Sequence, residues 1–294
     1  MGKSSPGKVR GKEQNLLLNH HTESFVCREK VYPWLYAVGI LFGELLVIKN
    51  LRAGEMVQLV LLGALLLQAA FYTARKGAGL EAIAAKFYLA LTLAPLIRIL
   101  NLSLPLAVFP LTYWYAVVSF PLLVGAVVVA QINGYRRKEI GLGWGNKNLL
   151  FHLLFGLTGL PLGLIEYLIL RPEPLVPVLS LPDVFLPALI LLVCTGFTEE
   201  FIFRGIMQKA ASDLLGQKTA LILVGFIFAI LHVTHLSVID VVFVFGVAVF
   251  FSTVVRRTGS LIGVNPVPWS HKYCPVSYIT FLFLGVLKCN YSGT

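Results

Sequence analysis

The residues with the clearest capacity for chemistry lie in the stretch 198–204, TEEFIFR, which follows an apolar run over residues 184–197. An ionisable side chain near hydrocarbon costs about 2.5–3.5 kcal/mol on insertion scales, so two carboxylates and a guanidinium at this position indicate a function. On a helix, Glu200 and Arg204 share a face and can form an ion pair. Glu199 lies about 100° away around the helix, so the two carboxylates can have different roles.

A second polar group follows in the next apolar run, where His232 ends the sequence FAILH and His235 comes three residues later. An imidazole at this position can take or give a proton near neutral pH. A carboxylate and a histidine on facing helices could activate one water molecule for attack on a carbonyl. The carboxylate would be the general base and the histidine the donor to the developing oxyanion, with Arg204 fixing Glu200 in place.

Structural interpretations of the same residues remain open. Glu200 and Arg204 could form an ion pair that only stabilises the fold, and a membrane histidine is often an interhelical hydrogen-bonder. His232 and His235 could bind a metal ion together with a glutamate. They are three residues apart, however, and do not flank a glutamate as in H-E-x-x-H. We therefore predict no cofactor, with zinc as the minor alternative.

Three further acidic residues lie in or beside apolar segments. Glu44 and Glu166 are predicted to make helix-end or interhelical contacts rather than to catalyse. Asp240 is predicted to be a first-turn charge, because it follows the expected start of a helix.

The composition of the whole chain is that of a membrane protein. Its 294 residues are 57% hydrophobic and 13% charged, with mean hydropathy +0.81, whereas a soluble domain is about 45–50% apolar and about 25% charged. The first 30 residues are polar and contain no apolar core of a signal peptide. The net charge of +10 does not predict nucleic-acid binding, because the basic residues lie mostly in short loops that set topology. The spacing of the four cysteines indicates neither a disulfide framework nor a zinc site.

The predicted fold class is all-α: a polytopic transmembrane helical bundle with about eight membrane segments. Each apolar run approaches the ~20 residues needed to cross hydrocarbon, and only helices satisfy their own backbone there. The third run is interrupted by Lys86 and Arg98. The eight runs are residues 34–50, 55–74, 83–101, 109–132, 149–170, 184–203, 219–236 and 238–255.

The basic residues predict a multi-pass protein of the cell membrane with a cytoplasmic N-terminus. If all eight segments span, the N-terminal arm, Arg75-Lys76, the 136–138 cluster and Arg256-Arg257 fall on one side. The other side is poorer in positive charge, which the positive-inside rule places away from the cytoplasm. Taking the sixth segment to end near residue 203, we expect its Glu199–Arg204 end to face the cytoplasm.

The domain organisation follows from these segments. Residues 1–31 are predicted to be a polar cytoplasmic arm, residues 32–264 the transmembrane bundle, and residues 265–294 an atypical tail. The longest connections are 134–148 and the proline-rich 171–183. No soluble domain and no internal repeat is visible, and the lack of a repeat weakens a small-solute transporter as an interpretation.

Two motifs in order, E-E-x-x-x-R at 199–204 and F-x-x-x-H at 228–232, resemble those of the CPBP family. This family comprises the CAAX proteases and bacteriocin-processing enzymes, also called Abi or type II CAAX prenyl endopeptidase-like proteins. The similarity covers about residues 184–264, the expected core of the family. It implies an intramembrane, metalloprotease-like glutamate peptidase that acts on a peptide or protein substrate, with or without a lipid, in the bilayer.

The resemblance also implies roles for individual residues. Glu199 matches the water-activating glutamate, Glu200 and Arg204 match the supporting pair, and His232 matches the histidine of the second motif. These four are the predicted catalytic residues. The alternative function is a non-catalytic membrane partner, such as an immunity or scaffold protein of the same fold.

The sequence departs from the family pattern from Asn265 onward. Members continue into a helix with a third motif, H-x-x-x-N or similar, whereas Pro266, Pro268 and Pro275 stand here, and proline is wrong for a helix interior. With one base removed, codons that fit residues 264–276 read Val-Thr-Leu-Ser-His-Gly-Leu-Thr-Asn-Ile-Val-Leu, which restores a histidine and an asparagine four apart. We therefore hypothesise that the tail 265–294 is frame-shifted, which would leave the chain as written without its third motif.

Overall fold

The computed structural model describes residues 6–75, 79–143, 145, 149–171 and 181–261. In these residues the regular structure is helical, and eight helices are long and apolar enough to cross a membrane. The predicted all-α polytopic bundle is confirmed. The eight spans are Cys27–Lys49, Leu51–Ala74, Leu80–Ser103, Tyr113–Ile132, Leu150–Leu170, Phe185–Leu215, Gln217–His235 and Val238–Thr258.

We number the helical rods α1 to α8 in chain order. The first is Pro6–Lys49 and the second Leu51–Ala74. The third, α3, consists of Leu80–Leu91 and Leu93–Ser103, and α4 is Leu111–Ile132. The fifth, α5, consists of Leu149–Leu157 and Gly159–Leu170. Rod α6 runs through the consecutive helices Leu181–Ile190, Leu191–Phe197, Thr198–Glu200, Phe201–Met207 and Gln208–Leu215. Rod α7 is Gln217–Ile230 with the 3₁₀ turn Val233–His235, and α8 is Val238–Thr258.

Short connections make successive rods antiparallel, so the bundle has two ends. Asn50 alone separates α1 from α2, and its Oδ1 caps α2 by accepting from the Ala53 N–H at 3.1 Å. We call this end, which also holds the α3–α4 and α7–α8 connections, the Asn50 end. We call the opposite end the basic end. It holds the α2–α3 connection, the segment after α4, Gly216 and the residues after α8.

Two rods differ in length from their predicted segments. Rod α1 begins at Pro6, so most of the predicted polar arm 1–31 continues the first membrane helix. Rod α6 continues to Leu215 rather than ending near 203. Lys209 and Asp213 lower the local hydropathy, but they form an i,i+4 ion pair of 2.6 Å that suits a helix. The helix ends at Gly216, whose φ of +79° favours glycine.

A buried polar cluster connects the helices in the half of the bundle nearer the basic end. Glu29 of α1 is 3% exposed and accepts hydrogen bonds of 2.5 Å from the hydroxyls of Tyr72 and Tyr88, on α2 and α3. Each oxygen of this buried carboxyl group therefore has its own hydrogen-bond donor. The Asn133 side-chain amide, at the end of α4, donates to the Lys86 carbonyl at 3.0 Å. These contacts fix α1 to α4 relative to one another.

Candidate active site

The Glu199–Glu200 pair lies near the middle of α6, on an unusual stretch of backbone. Thr198–Glu200 is one short α-helical piece between two π-helical segments, Leu191–Phe197 and Phe201–Met207. A π-helical turn closes i→i+5 hydrogen bonds, is rare, and occurs frequently at functional sites. Two π-helical segments flank the carboxylate pair. This indicates that this part of α6 is adapted for a function other than crossing the membrane.

The predicted ion pair is present and buried. Arg204 Nη1 lies 3.2 Å from Glu200 Oε1, and the two residues are 4% and 8% exposed. The second oxygen, Glu200 Oε2, is buried and has no hydrogen-bond partner within the part of the chain described. Glu199 is partly exposed and lies on a different face of the helix from this pair. The Glu200 carboxylate is therefore held by an ion pair, whereas the Glu199 carboxylate is accessible.

Arg204 also joins α6 to α7. Its guanidinium carbon lies 4.2 Å from the centre of the Phe228 ring, a cation–π contact. The Phe203 and Phe228 rings pack edge to face at 4.8 Å. Both Arg204 and Phe228 are about 12 residues, or about 18 Å at 1.5 Å per residue, from Gly216, so they meet at one height in the bundle.

The F-x-x-x-H spacing has a direct structural reason. His232 Nδ1 lies 2.9 Å from the Phe228 carbonyl oxygen, one turn back along α7. A carbonyl oxygen can only accept, so Nδ1 carries the proton and Nε2 is the ring nitrogen left for other partners. His232 does not lie inside an apolar helix as predicted, because α7 leaves the α-helical conformation after Ile230. The turn that ends α7 therefore determines the position of the His232 ring.

Glu200 and His232 are at the same height as well. Each is about 16 residues, or about 24 Å at 1.5 Å per residue, from Gly216. The carboxylates of α6 and the imidazole of α7 thus lie at one level of two adjacent rods. The structure places all four predicted site residues, Glu199, Glu200, Arg204 and His232, in one region of the bundle.

His235 and Asp240 form a His–carboxylate contact beside His232. The His232 and His235 rings are 5.2 Å apart and nearly perpendicular. His235 Nδ1 lies 2.9 Å from Asp240 Oδ2. Asp240 is fully buried and lies in the first turn of α8, as predicted, where its N–H donates to the Ser237 hydroxyl at 3.2 Å. The α7–α8 connection is therefore an ordered part of the site.

Glu166 borders the same site from α5. It lies in the last turns of Gly159–Leu170 and within electrostatic range of Glu199, His235 and Asp240. The sequence predicted a helix-end or interhelical position for Glu166, and its place near the end of α5 agrees. Its approach to Glu199, His235 and Asp240 was not predicted, because no spacing rule relates α5 to α6 and α8.

Sequence reasoning also missed the role of Arg98, the residue that interrupted the third predicted segment. Its guanidinium lies 2.6 Å from Glu44 Oε2 and donates to the Leu231 carbonyl at 2.9 Å and to the Thr234 hydroxyl at 3.2 Å. Gln58 donates to Glu44 Oε1 at 3.0 Å. Glu44 therefore makes the interhelical contact that the sequence predicted. A cation at the C-terminus of α7 is also favourable for the helix dipole, and this one anchors the turn that carries His232.

No three His, Cys, Asp or Glu side chains within the described ranges are grouped as a metal ion would require. The third motif was expected after residue 264, and that part of the chain lies outside the described residues.

Residues 181–265 match the family model described as "Type II CAAX prenyl endopeptidase Rce1-like". The match includes both motifs and confirms the resemblance found in the sequence. It ends beside the position where the sequence departs from the family pattern. Comparison with curated proteins and with solved structures found no match.

Proposed function

Since residues 181–265 belong to the type II CAAX prenyl endopeptidase family, we propose that this membrane protein is an endopeptidase that hydrolyses a peptide bond with a glutamate-activated water molecule. The observation that carries the proposal is the linked series Glu200–Arg204–Phe228–His232 with Glu199 beside it. A pair that only stabilised the fold would not require an accessible second carboxylate at the level of an imidazole.

In the proposed reaction, Glu199 accepts a proton from water as the water oxygen bonds to the peptide carbonyl carbon. The carbonyl π electrons move to oxygen and give a tetrahedral oxyanion. When the carbon–nitrogen bond breaks, Glu199 returns the proton to the leaving nitrogen. The products are a new carboxyl terminus and a new amine, and the site is restored.

His232 and the Glu200–Arg204 pair have supporting roles. With Nδ1–H bound to the Phe228 carbonyl, the neutral His232 ring presents the lone pair of Nε2, which accepts a hydrogen bond from the attacking water and orients it. Arg204 fixes Glu200 and, through the Phe228 ring, sets the distance between α6 and α7. Glu200 is thereby a positioning residue and Glu199 the general base.

The test is hydrolysis by the purified full-length chain in lipid vesicles, using a library of membrane-soluble peptides with and without a prenyl group. Products are identified by mass spectrometry in water enriched in ¹⁸O. We expect one new carboxyl terminus that carries a single ¹⁸O atom, because hydrolysis of the peptide bond adds one oxygen atom from water. Absence of any cleavage from a chain with a complete third motif would contradict the proposal.

A chelator distinguishes the glutamate mechanism from the metal alternative. We expect the hydrolysis rate to be unchanged within about twofold after incubation with a strong zinc chelator, because the proposed steps need no Lewis acid. Loss of activity with the chelator, and recovery on adding zinc, would show instead that His232 and its neighbours hold a metal ion. A soluble zinc peptidase treated in parallel checks that the chelator is effective.

The non-catalytic alternative is favoured by one observation, the absence of the third motif from the sequence as written. Losing one oxyanion donor typically costs about 10²–10³ in rate. Sequencing the gene with independent coverage across the codons for Val264 to Val276 separates the alternatives. An extra base with His-x-x-x-Asn in the corrected frame favours the enzyme, and an unchanged frame favours the non-catalytic partner.

A further inference from the structure

The turn between α7 and α8 places a second imidazole beside His232. The His235 ring lies 5.2 Å from the His232 ring, and 42% of its side chain is exposed. Glu166 lies within electrostatic range of both His235 and Glu199. His235 therefore lies in the same region as the carboxylate that is the proposed general base, although neither motif includes it.

The two histidines differ in the atom that Nδ1 contacts. In His232 this atom is the neutral carbonyl oxygen of Phe228, at 2.9 Å. In His235 it is Oδ2 of Asp240, also at 2.9 Å. A carbonyl oxygen orients an imidazole, whereas a carboxylate both orients the ring and stabilises its charged form. The two rings are thus suited to different protonation states.

Asp240 needs a cation beside it. The residue has no exposed surface, and its second oxygen, Oδ1, is buried without a hydrogen-bond partner in the described part of the chain. A buried carboxylate that is neither paired nor fully hydrogen-bonded is costly. A protonated His235 completes an ion pair with it, and such a charge-assisted hydrogen bond is stronger than a neutral one. Glu166, within electrostatic range of the same ring, adds to this stabilisation.

The surroundings favour a charge on only one of the two neighbouring rings. The His232 ring lies 4.9 Å from the Phe228 ring, and the Arg204 guanidinium carbon lies 4.2 Å from that same phenyl ring. This cation disfavours a further positive charge at His232, whereas Asp240 favours one at His235. The positive charge therefore belongs on His235, and His232 stays neutral beside it.

We propose that protonated His235 is a further catalytic residue, which donates a hydrogen bond from Nε2–H to the carbonyl oxygen of the scissile peptide bond as that oxygen becomes an oxyanion. This role rests on the proposed peptidase function. Asp240 accepts from Nδ1–H and is a positioning residue. Nε2 carries the second proton of the imidazolium and belongs to a partly exposed side chain, so it can meet substrate. The proton stays on Nε2, so the balance of the hydrolysis is unchanged.

The assignment gives each group a separate task. Glu199 takes the proton of the water, neutral His232 orients that water, and His235 stabilises the charge that develops on the carbonyl oxygen. His235 and Asp240 both precede residue 264, after which the third motif was expected. The donor therefore does not depend on the tail of the chain.

The first test is the variant His235→Leu in the purified full chain, in lipid vesicles, with a peptide that the unaltered chain cleaves. Removing one oxyanion donor typically costs about 10²–10³ in rate. We expect kcat to fall by this factor and KM to change by less than about threefold, because the hydrogen bond strengthens only in the transition state. The control is Val238→Ala at the start of α8, a position 79% exposed, which should leave both constants within about twofold.

A double variant keeps the test independent of folding. His235→Leu alone leaves Asp240 buried without its cation, so a lower unfolding midpoint is expected. In His235→Leu with Asp240→Leu both groups are absent, and the midpoint should return towards that of the unaltered chain. We expect kcat to remain lower by about 10²–10³-fold. Cleavage by the double variant within about threefold of the unaltered chain overturns the catalytic role.

The charge of the ring is measured without activity. Side-chain ¹⁵N NMR of the full chain labelled at histidine distinguishes an imidazolium from a neutral ring, and the spectrum of His235→Leu identifies the His235 signals. We expect imidazolium signals from His235 at neutral pH and a neutral ring in Asp240→Asn. A neutral His235 in the unaltered chain overturns the inference. Imidazolium signals without cleavage of any peptide would instead contradict the peptidase function on which the catalytic role rests, and leave only the His235–Asp240 ion pair.

Discussion

The variant Glu199→Gln should hydrolyse peptide about 10²–10⁴-fold more slowly than the unaltered chain, which is the usual contribution of a positioned general base. Glutamine has nearly the same volume but cannot take a proton from water. Glu199 makes no ion pair or hydrogen bond among the described residues, so the thermal unfolding midpoint should not fall. Initial rates at several peptide concentrations should show the loss in kcat rather than in KM.

The matched control is Glu200→Gln, one residue along the same helix. It leaves the buried Arg204 without its anionic partner, and breaking a buried pair in this way costs about 3–5 kcal/mol. The expected result is a clearly lower unfolding midpoint, with reduced cleavage as a consequence. If Glu199→Gln retained cleavage within about tenfold of the unaltered chain, Glu199 would not be the base.

The second large effect is expected at Arg98, which no motif includes. Arg98→Met removes the partner of Glu44, a side chain with no exposed surface, and removes a donor from the Leu231 carbonyl. We expect a loss of about 3–5 kcal/mol in the free energy of unfolding. Thermal denaturation of the protein in detergent measures this loss as a lower unfolding midpoint.

A double variant separates stability from positioning. In Glu44→Leu with Arg98→Met the buried charges are gone together, and replacing a buried pair by apolar residues is often neutral or stabilising. The unfolding midpoint should return towards that of the unaltered chain, while cleavage stays low because the turn before His232 has lost its anchor. Full recovery of cleavage would show that Arg98 only stabilises the fold.

Arg75→Met is the control for charge removal at an arginine. Arg75 pairs with Glu81 at 3.4 Å, with 42% and 19% of the two side chains exposed. An exposed pair of this kind contributes about 0–1 kcal/mol, so both stability and cleavage should be nearly unchanged.

Hydropathy was sufficient to predict the eight segments, and helical periodicity was sufficient to predict the Glu200–Arg204 pair. Both depend only on local sequence, where the spacing of residues fixes which side chains are neighbours. The same holds for Asp240, whose position at the start of α8 was predicted. The family motifs then predicted Glu199 and His232 as site residues, and the structure places them on two adjacent rods, α6 and α7.

The remaining features depend on which rods are neighbours, and hydropathy does not carry that information. The contact of Arg98 with Leu231 spans 133 residues of sequence. The extension of α6 to Leu215 was missed because Lys209 and Asp213 look like the end of an apolar run, although they pair on the helix surface. The π-helical segments were missed because they arise from a shifted backbone hydrogen-bond pattern rather than from side-chain polarity.

The unequal lengths of α6 and α7 have a consequence for the lipid around the site. The span Phe185–Leu215 has 31 residues and Gln217–His235 has 19, which correspond to about 46 Å and about 28 Å at 1.5 Å per residue. Two adjacent helices so unequal cannot both match one flat bilayer, so α6 tilts or the lipid beside α7 becomes locally thinner. Thinning of the lipid beside α7 brings headgroups and water towards His235. If the proposed reaction holds, water reaches the site by a shorter path through the lipid, and we expect the acyl-chain length of the surrounding membrane to change the rate of cleavage.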